Sequence, residues 1–228
     1  MKLLLIAADP REFAGIPKPR AFPIPGVHWS RTARAGSHDA LLIANGAGSR
    51  RASEATTLAA QRFQPDAVVS TGFCGALDRS LRIGDIVVAT KVLEDSVVTD
   101  AASPSSMRRF HAGPVTTINH VAGSSTEKAH LSASGAIAVE MEAAGVAQAA
   151  ASLRLPFFCI RTVTDLALED MANDFNAALR SDGHFDTIKV LTGALCHPVA
   201  RVPELLRMRD RAERAAQSLG AFLVDCRF

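Results

Sequence analysis

Residues 2–8 read KLLLIAA, an apolar run of strand length with nothing polar after its lysine. A strand with one wet face would alternate apolar and polar residues. An unbroken run suits a strand buried on both faces, as in a mainly parallel sheet covered by helices. Similar runs return at 40–45 (ALLIAN), 67–71 (AVVST), 86–93 (IVVATKVL) and 157–163 (FFCIRTV). Between them lie two alanine-rich helical stretches, 49–63 (SRRASEATTLAAQRF), after a glycine turn, and 142–153 (EAAGVAQAAASL). Alternating strands and helices predict an α/β fold: one domain over residues 1–228, with a mixed, mostly parallel central sheet flanked by helices. Pro17, Pro19, Pro23 and Pro25 make 16–27 a loop, and 99–113 is a second one.

The length of 228 residues fits a single large domain. A net charge of +2 offers no strong field for nucleic acid or an acidic partner. No apolar run approaches the roughly 20 residues of a membrane span. The start, MKLLLIAADP, lacks a full apolar signal region and a cleavage site, and reads as a first strand. The four cysteines are isolated and the seven histidines show no HExxH or HxH spacing, so the expectation is no metal, and reduced thiols in a cytoplasm. In 203–222, Leu205, Met208, Ala212, Ala215, Leu219 and Phe222 recur at helical spacing, with arginines filling much of the remainder. The preferred reading is a surface helix packed by that stripe. The alternative is a basic face near anionic lipid or an apolar-tailed substrate.

The stretch 136–145, AIAVEMEAAG, sets Glu140 and Glu142 in otherwise apolar surroundings. Burying a carboxylate without a partner is costly, so the pair asks for a ligand or a cation. Other unusual residues fall at similar places: Glu12 after the first run, Gly46-Ala47-Gly48 after the second, Gly72-Phe73-Cys74-Gly75 after the third and Thr164-Asp165 after the last. Each has a bland reading alone: a turn, a helix cap, a solvated loop residue. Together they sit at the carboxyl ends of predicted strands, the edge where open α/β sheets bind ligands. The glycines form neither GxGxxG nor a phosphate-binding GxxxxGK[ST] loop. A nicotinamide-dependent dehydrogenase is therefore disfavoured.

These residues carry a family resemblance. STGFCGALDRSLRIGDIVVAT (70–90) resembles a strand-turn-strand segment of nucleoside phosphorylases and methylthioadenosine/S-adenosylhomocysteine nucleosidases. AIAVEMEAAGVAQAA (136–150) is similar to their VEMEA helix start, PFFCIRTVTDLA (156–167) to their P-x-x-x-x-R-x-x-[ST]-D-x-A motif, and NGAGSRRASEAT (45–56) more loosely to their G-x-G-K-x-x-A-A turn. The tail from Leu179 to Ala215 resembles the hopanoid-associated phosphorylase branch. The resemblance implies cleavage of the N-ribosidic bond of a purine nucleoside, with adenine as the expected base and a substituent at the 5′ carbon. It assigns Asp165 as general acid toward N7, Glu142 to the ribose hydroxyls and, with Glu12, to the attacking water. Met141 would pack on the ribose, Glu140 would support the site, and Thr164 with Phe73, Cys74 and Gly75 would complete the substrate-binding set. His120 would stack on the base, the backbone of Val121 would bond it, and Phe175 would form a second wall. No cofactor is implied, and the expected assembly is a homodimer or higher oligomer. Phe73 departs from the Ser or Thr common at that position, which favours water over phosphate as nucleophile. Phosphorolysis and a non-catalytic nucleoside-binding protein are the alternatives.

Overall fold

The computed structural model describes residues 1–228. In chain order the elements are β1 (Lys2–Ala7), β2 (Arg20–Ala21), β3 (Trp29–Ala35), β4 (His38–Ala44), α1 (Ser49–Phe63), β5 (Ala67–Ala76), β6 (Ile86–Glu94), β7 (Val97–Asp100) and β8 (His111–Thr117). They continue with α2 (Ser125–Ser132), β9 (Ala138–Glu140), α3 (Ala143–Leu153), β10 (Phe157–Asp165), α4 (Phe175–Ala178), α5 (Thr187–Cys196) and α6 (Pro198–Asp225). A single 3-10 turn, Pro10–Phe13, follows β1. No helix is long and apolar enough to cross a membrane.

The sheet is mixed, and β4, β1, β5 and β10 form its parallel centre. Beyond β10 the sheet curls round: β10 pairs antiparallel with β6, β6 parallel with β8, β8 parallel with β9, and β9 antiparallel with the end of β5. Five strands thus close on themselves beside a flat wing made of β1, β4, β3 and β2.

The unbroken run of β1 is buried on both faces. Leu4 and Ile6 join a core with Leu41, Ile43 and Val68 beneath α1 and α3. Leu3 and Leu5 point the other way, into a core with Leu42, Val69, Leu219 and Phe222 beneath α6. The final helix is longer than the sequence suggests, and its stripe at Ala215, Leu219 and Phe222 is buried as expected. The predicted loop 16–27 contains the two-residue β2, and 99–113 contains the end of β7 and the start of β8. The TGFCG stretch is not a turn after a strand. It is the second half of β5, held straight by β10 along one side and met by β9 at its end.

Close approach of α1 and α3 depends on Gly145. A Cβ there would lie 1.8 Å from the carbonyl oxygen of Ser49. Gly→Ala inside a helix normally stabilises by up to about 1 kcal/mol. Here overpacking reverses the sign: Gly145→Ala is expected to destabilise by about 1–3 kcal/mol in urea unfolding, with an unchanged m-value.

Candidate active site

The 3-10 turn after β1 delivers Glu12. Asp9 caps the turn, and Glu12 completes the capping box by accepting the N–H groups of Ala8 and Asp9 on Oε2, both at 2.8 Å. Its Oε1 accepts the N–H of Phe73 at 2.7 Å. The carboxylate runs across Gly72, whose φ is +134° and where a Cβ would lie 2.4 Å from Oε1. Only glycine lets β5 pass so close to this side chain in that conformation. Burial pushes the Glu12 carboxyl upward, against the lowering effect of those N–H donors.

Arg161, in the middle of β10, is fully buried. Its Nη1 donates to the Thr71 carbonyl at 3.0 Å and to Glu142 Oε2 at 3.3 Å. Its Nη2 donates to Ser70 Oγ at 2.7 Å and, in a short ion pair, to Glu140 Oε2. Glu140 ends β9 and also accepts the N–H groups of Glu142 and Ala143 at 2.9 and 2.8 Å, anchoring the start of α3, while the Thr117 hydroxyl donates to its Oε1. The Glu140 side chain is wholly enclosed, and every contact it makes is internal.

Glu142 is held much more loosely. It accepts one N–H, from Gly48 at 3.2 Å, and the long Arg161 contact. Its lone pairs are the least used of the three glutamates. Burial pushes its carboxyl up to about 8, with Arg161 opposing the rise and Glu140 and Glu12 adding to it. Met141, next to it, lines an open cavity of about 270 Å³ together with Gly48, Ser49, Arg51, Ile118 and Leu179.

Asp165 closes β10, three residues along β5 from Glu12. It lies opposite Gly75, whereas Glu12 lies against Gly72. Those two glycines lie roughly 10 Å apart along the extended strand. The Thr164 hydroxyl donates to Asp165 Oδ1 at 3.2 Å and to the Cys74 carbonyl at 3.3 Å. Burial raises the Asp165 carboxyl, and the nearby Lys128 ammonium opposes that rise. Burial also holds the Cys74 thiol well above its ordinary value, which leaves it unreactive.

The other expected residues lie nearby but are already engaged. Both ring nitrogens of His120 are taken, Nδ1 by Asn119 at 2.9 Å and Nε2 by Glu127 at 2.5 Å, so only its ring face remains for a base. The N–H of Val121 donates to Asn176 Oδ1 at 2.7 Å, and Asn176 Nδ2 donates back to the Val121 carbonyl at 2.9 Å. One side-chain amide therefore covers the main-chain edge expected to meet the purine. Phe175 shares a second cavity with Val121 and packs edge-on against Phe185. Three arginines near these segments, Arg11, Arg50 and Arg51, bond Asp9, Glu54 and the Ser181 carbonyl.

Two residues were not singled out from the sequence. Arg161 sat inside an apolar run, and its signal was the arginine of the P-x-x-x-x-R motif. Lys128 lies in a short polar helix and carried no signal of its own.

A family profile described as the phosphorylase superfamily matches residues 2–107 and 100–184. A 5′-methylthioadenosine/S-adenosylhomocysteine nucleosidase of Tolumonas auensis is 28% identical over 213 residues, covering 78% of this chain and 92% of that protein. The structure of the corresponding nucleosidase from S. pneumoniae with a transition-state inhibitor aligns over 99% of both chains at a TM-score of 0.71 and 22% identity. The Colwellia psychrerythraea nucleosidase, solved in complex with adenine, aligns over 93% of this chain and 96% of its own at a TM-score of 0.63 and 23% identity.

The folded pKa of Glu142 lies above its ordinary 4.5, so its protonated form favours the fold. That stability is whole below about 4.5 and is lost as pH rises through about 8. Glu142→Gln mimics the protonated form. In calorimetry its Tm is expected to gain on the wild type between pH 5 and about pH 8 and to level off above that.

With this profile spanning most of the chain, the protein belongs to the phosphorylase superfamily.

Proposed function

We propose that this chain cleaves the N-ribosidic bond of an adenine nucleoside carrying a 5′ substituent, releases the free base and uses water as the nucleophile. The observation that carries the reading is a cluster of carboxyl groups. Glu12, Glu140 and Glu142 are buried and Asp165 nearly so, with Arg161 and Lys128 as the buried cations that touch the cluster. Burial raises the Glu12, Glu142 and Asp165 carboxyls in the free protein, and a sugar that turns cationic as the bond breaks favours their charged form. The relatives named as nucleosidases, and the neighbour solved with adenine, support the same chemistry.

In this mechanism Glu142 accepts hydrogen bonds from the ribose hydroxyls and faces the developing oxocarbenium ion. Glu12, fixed by three N–H donors, orients the water. Asp165 protonates N7 so that the base leaves neutral, a role helped by its upward-shifted carboxyl. Met141 supplies an apolar surface beside the sugar. The base takes the Val121 edge by displacing the Asn176 amide, which presents one acceptor and one donor as adenine does. An assembly of two or more copies, with a neighbour closing the pocket, belongs to the same reading.

Three measurements test it. Mass analysis of the sugar formed from 5′-substituted adenosines in phosphate buffer should give the free sugar. A ribosyl-1-phosphate product, with little cleavage when phosphate is withheld, would turn the reading to phosphorolysis. Asp165→Asn should fold and lose roughly 100-fold or more in kcat. Asn176→Ala, which frees the Val121 edge at the cost of two modest hydrogen bonds, should raise kcat/KM roughly fivefold. A fall would mean that Asn176 itself reads the base.

A further inference from the structure

Lys128 has no part in that scheme, yet it is among the largest wholly buried side chains in the protein. Nζ donates to Asp165 Oδ2 at 2.5 Å and to the Leu166 carbonyl at 2.9 Å. A buried ammonium is unfavourable unless paired, and an apolar side chain of similar volume would fill the space without that cost. The helix that carries it makes the choice more pointed. Lys128 is the only buried residue of α2. Besides Lys128, α2 is tied by polar contacts (its Ser124 cap, Glu127 to His120, and the Ser125 N–H to Asp170) and by half-buried Leu131, which packs on a small apolar cluster of Leu77, Ala122, Ala136 and Val139. The one fully buried contact of this eight-residue helix is thus an ion pair with one carboxylate.

We infer that Lys128 is a positioning residue for the general acid, fixing the Asp165 carboxylate by one oxygen and stabilising the carboxylate that remains once the proton has passed to the base. The inference rests on the reading of Asp165 as that acid. The proton balance is simple. The O–H bond of Asp165 breaks as the N7–H bond forms, the glycosidic electron pair leaves with the base, and Asp165 is left as an anion beside the ammonium. Water, oriented by Glu12, forms the new C–O bond to the sugar and releases one proton to solvent, and Asp165 takes one proton back from solvent after the base departs, which restores the starting charge. A fixed cation at this distance makes Asp165 a stronger acid and also lowers the pH up to which it stays protonated.

The charged surroundings favour Lys128 for this role. Cys74 faces Asp165 from β5 as a thiol that burial keeps protonated. Glu169, from the segment after β10, is occupied by a two-pronged ion pair with Arg211 of α6, at 2.6 and 2.8 Å. Arg161 directs its nitrogens to Glu140, Glu142, Ser70 and Thr71 instead. Lys128 alone gives a cation in direct contact with the acid.

The test is the pH profile of kcat/KM for base release from a 5′-substituted adenosine by wild type, Lys128→Arg, Lys128→Met, Lys128→Gln and Asp165→Asn, with folding checked by thermal melts. Two opposed changes are expected in Lys128→Met: the plateau falls about tenfold or more, and the alkaline limb moves to higher pH by roughly one to three units. Lys128→Arg should keep the wild-type limb. A folded Lys128→Met with a lower plateau and an unmoved limb would reduce Lys128 to a structural anchor and overturn the inference. Should Lys128→Met fail to fold, Lys128→Gln keeps a hydrogen bond without the charge. Infrared titration of the Asp165 carboxyl, assigned by difference against Asp165→Asn, then reads the same shift without turnover; an unshifted titration would overturn the inference. Wild-type turnover in Asp165→Asn would instead remove the general acid and leave the Lys128 profile unmoved, which separates the two failures.

Discussion

The site hangs on a guanidinium that never meets solvent. Arg161 sits in the middle of a central strand, and its charge is tolerable only because Glu140, Glu142, Ser70 and the Thr71 carbonyl surround it. The partners come from three pieces of the fold. Ser70 and Thr71 belong to β5, Glu140 to β9, and Glu142 to the start of α3. β9 runs antiparallel to β5, so its Glu140 turns back alongside the strand and reaches Arg161. An open parallel sheet would have left that carboxylate at the far side of an edge. Curling of the sheet into a closed ring of five strands is what lets one arginine collect both glutamates.

The same crossing explains the backbone of β5. Glu12 enters from the turn after β1 and passes over Gly72, where Arg161 Nη1 also approaches to 3.0 Å of a would-be Cβ. Any side chain at 72 would push the carboxylate and the guanidinium apart. The N–H of Phe73 then fixes Glu12 from the strand itself. Gly72 and Phe73 thus do the work of a turn without being one: the backbone opens locally, and the strand continues to Ala76 with β10 alongside.

Those physical reasons also mark what was legible in the sequence. Runs such as KLLLIAA and AVVST announce two-sided burial, and the strands they predict are the parallel centre of the sheet. WSRTARA, which forms β3, was not recognised: its arginines break the run, because β3 lies outside the central strands with one face half exposed. HAGPVTT, which forms β8, hides behind a glycine and a proline. The chemistry divides in the same way. Carboxylates at strand ends stand out because apolar neighbours frame them. Arg161 looked like part of an apolar strand, and Lys128 like an ordinary lysine on a polar helix. Their roles arise from contacts 19 to 91 residues distant in sequence, and no local pattern records such pairs.

Charge also bears on the choice of nucleophile. In the proposed reaction Glu12, Glu142 and Asp165 surround the bond to be broken, backed by Glu140, and Arg161 and Lys128 are the buried cations beside them. Both cations are committed, Arg161 to the glutamates and Lys128 to Asp165. The arginines nearer the cavity mouth are spent as well: Arg50 on Glu54, Arg180 on Asp182, and Arg51 on the Ser181 carbonyl. A phosphate dianion needs several uncommitted donors of positive charge, held in place before it arrives. It would have to take them from ion pairs that already exist, beside a carboxylate fixed by three N–H bonds. Water carries no charge into that field, and Glu12 can orient it without giving up a partner. Carboxyls that are costly to ionise in the empty site therefore favour a cationic sugar and a neutral nucleophile together, and both follow from how the strands gather four acids around two bases.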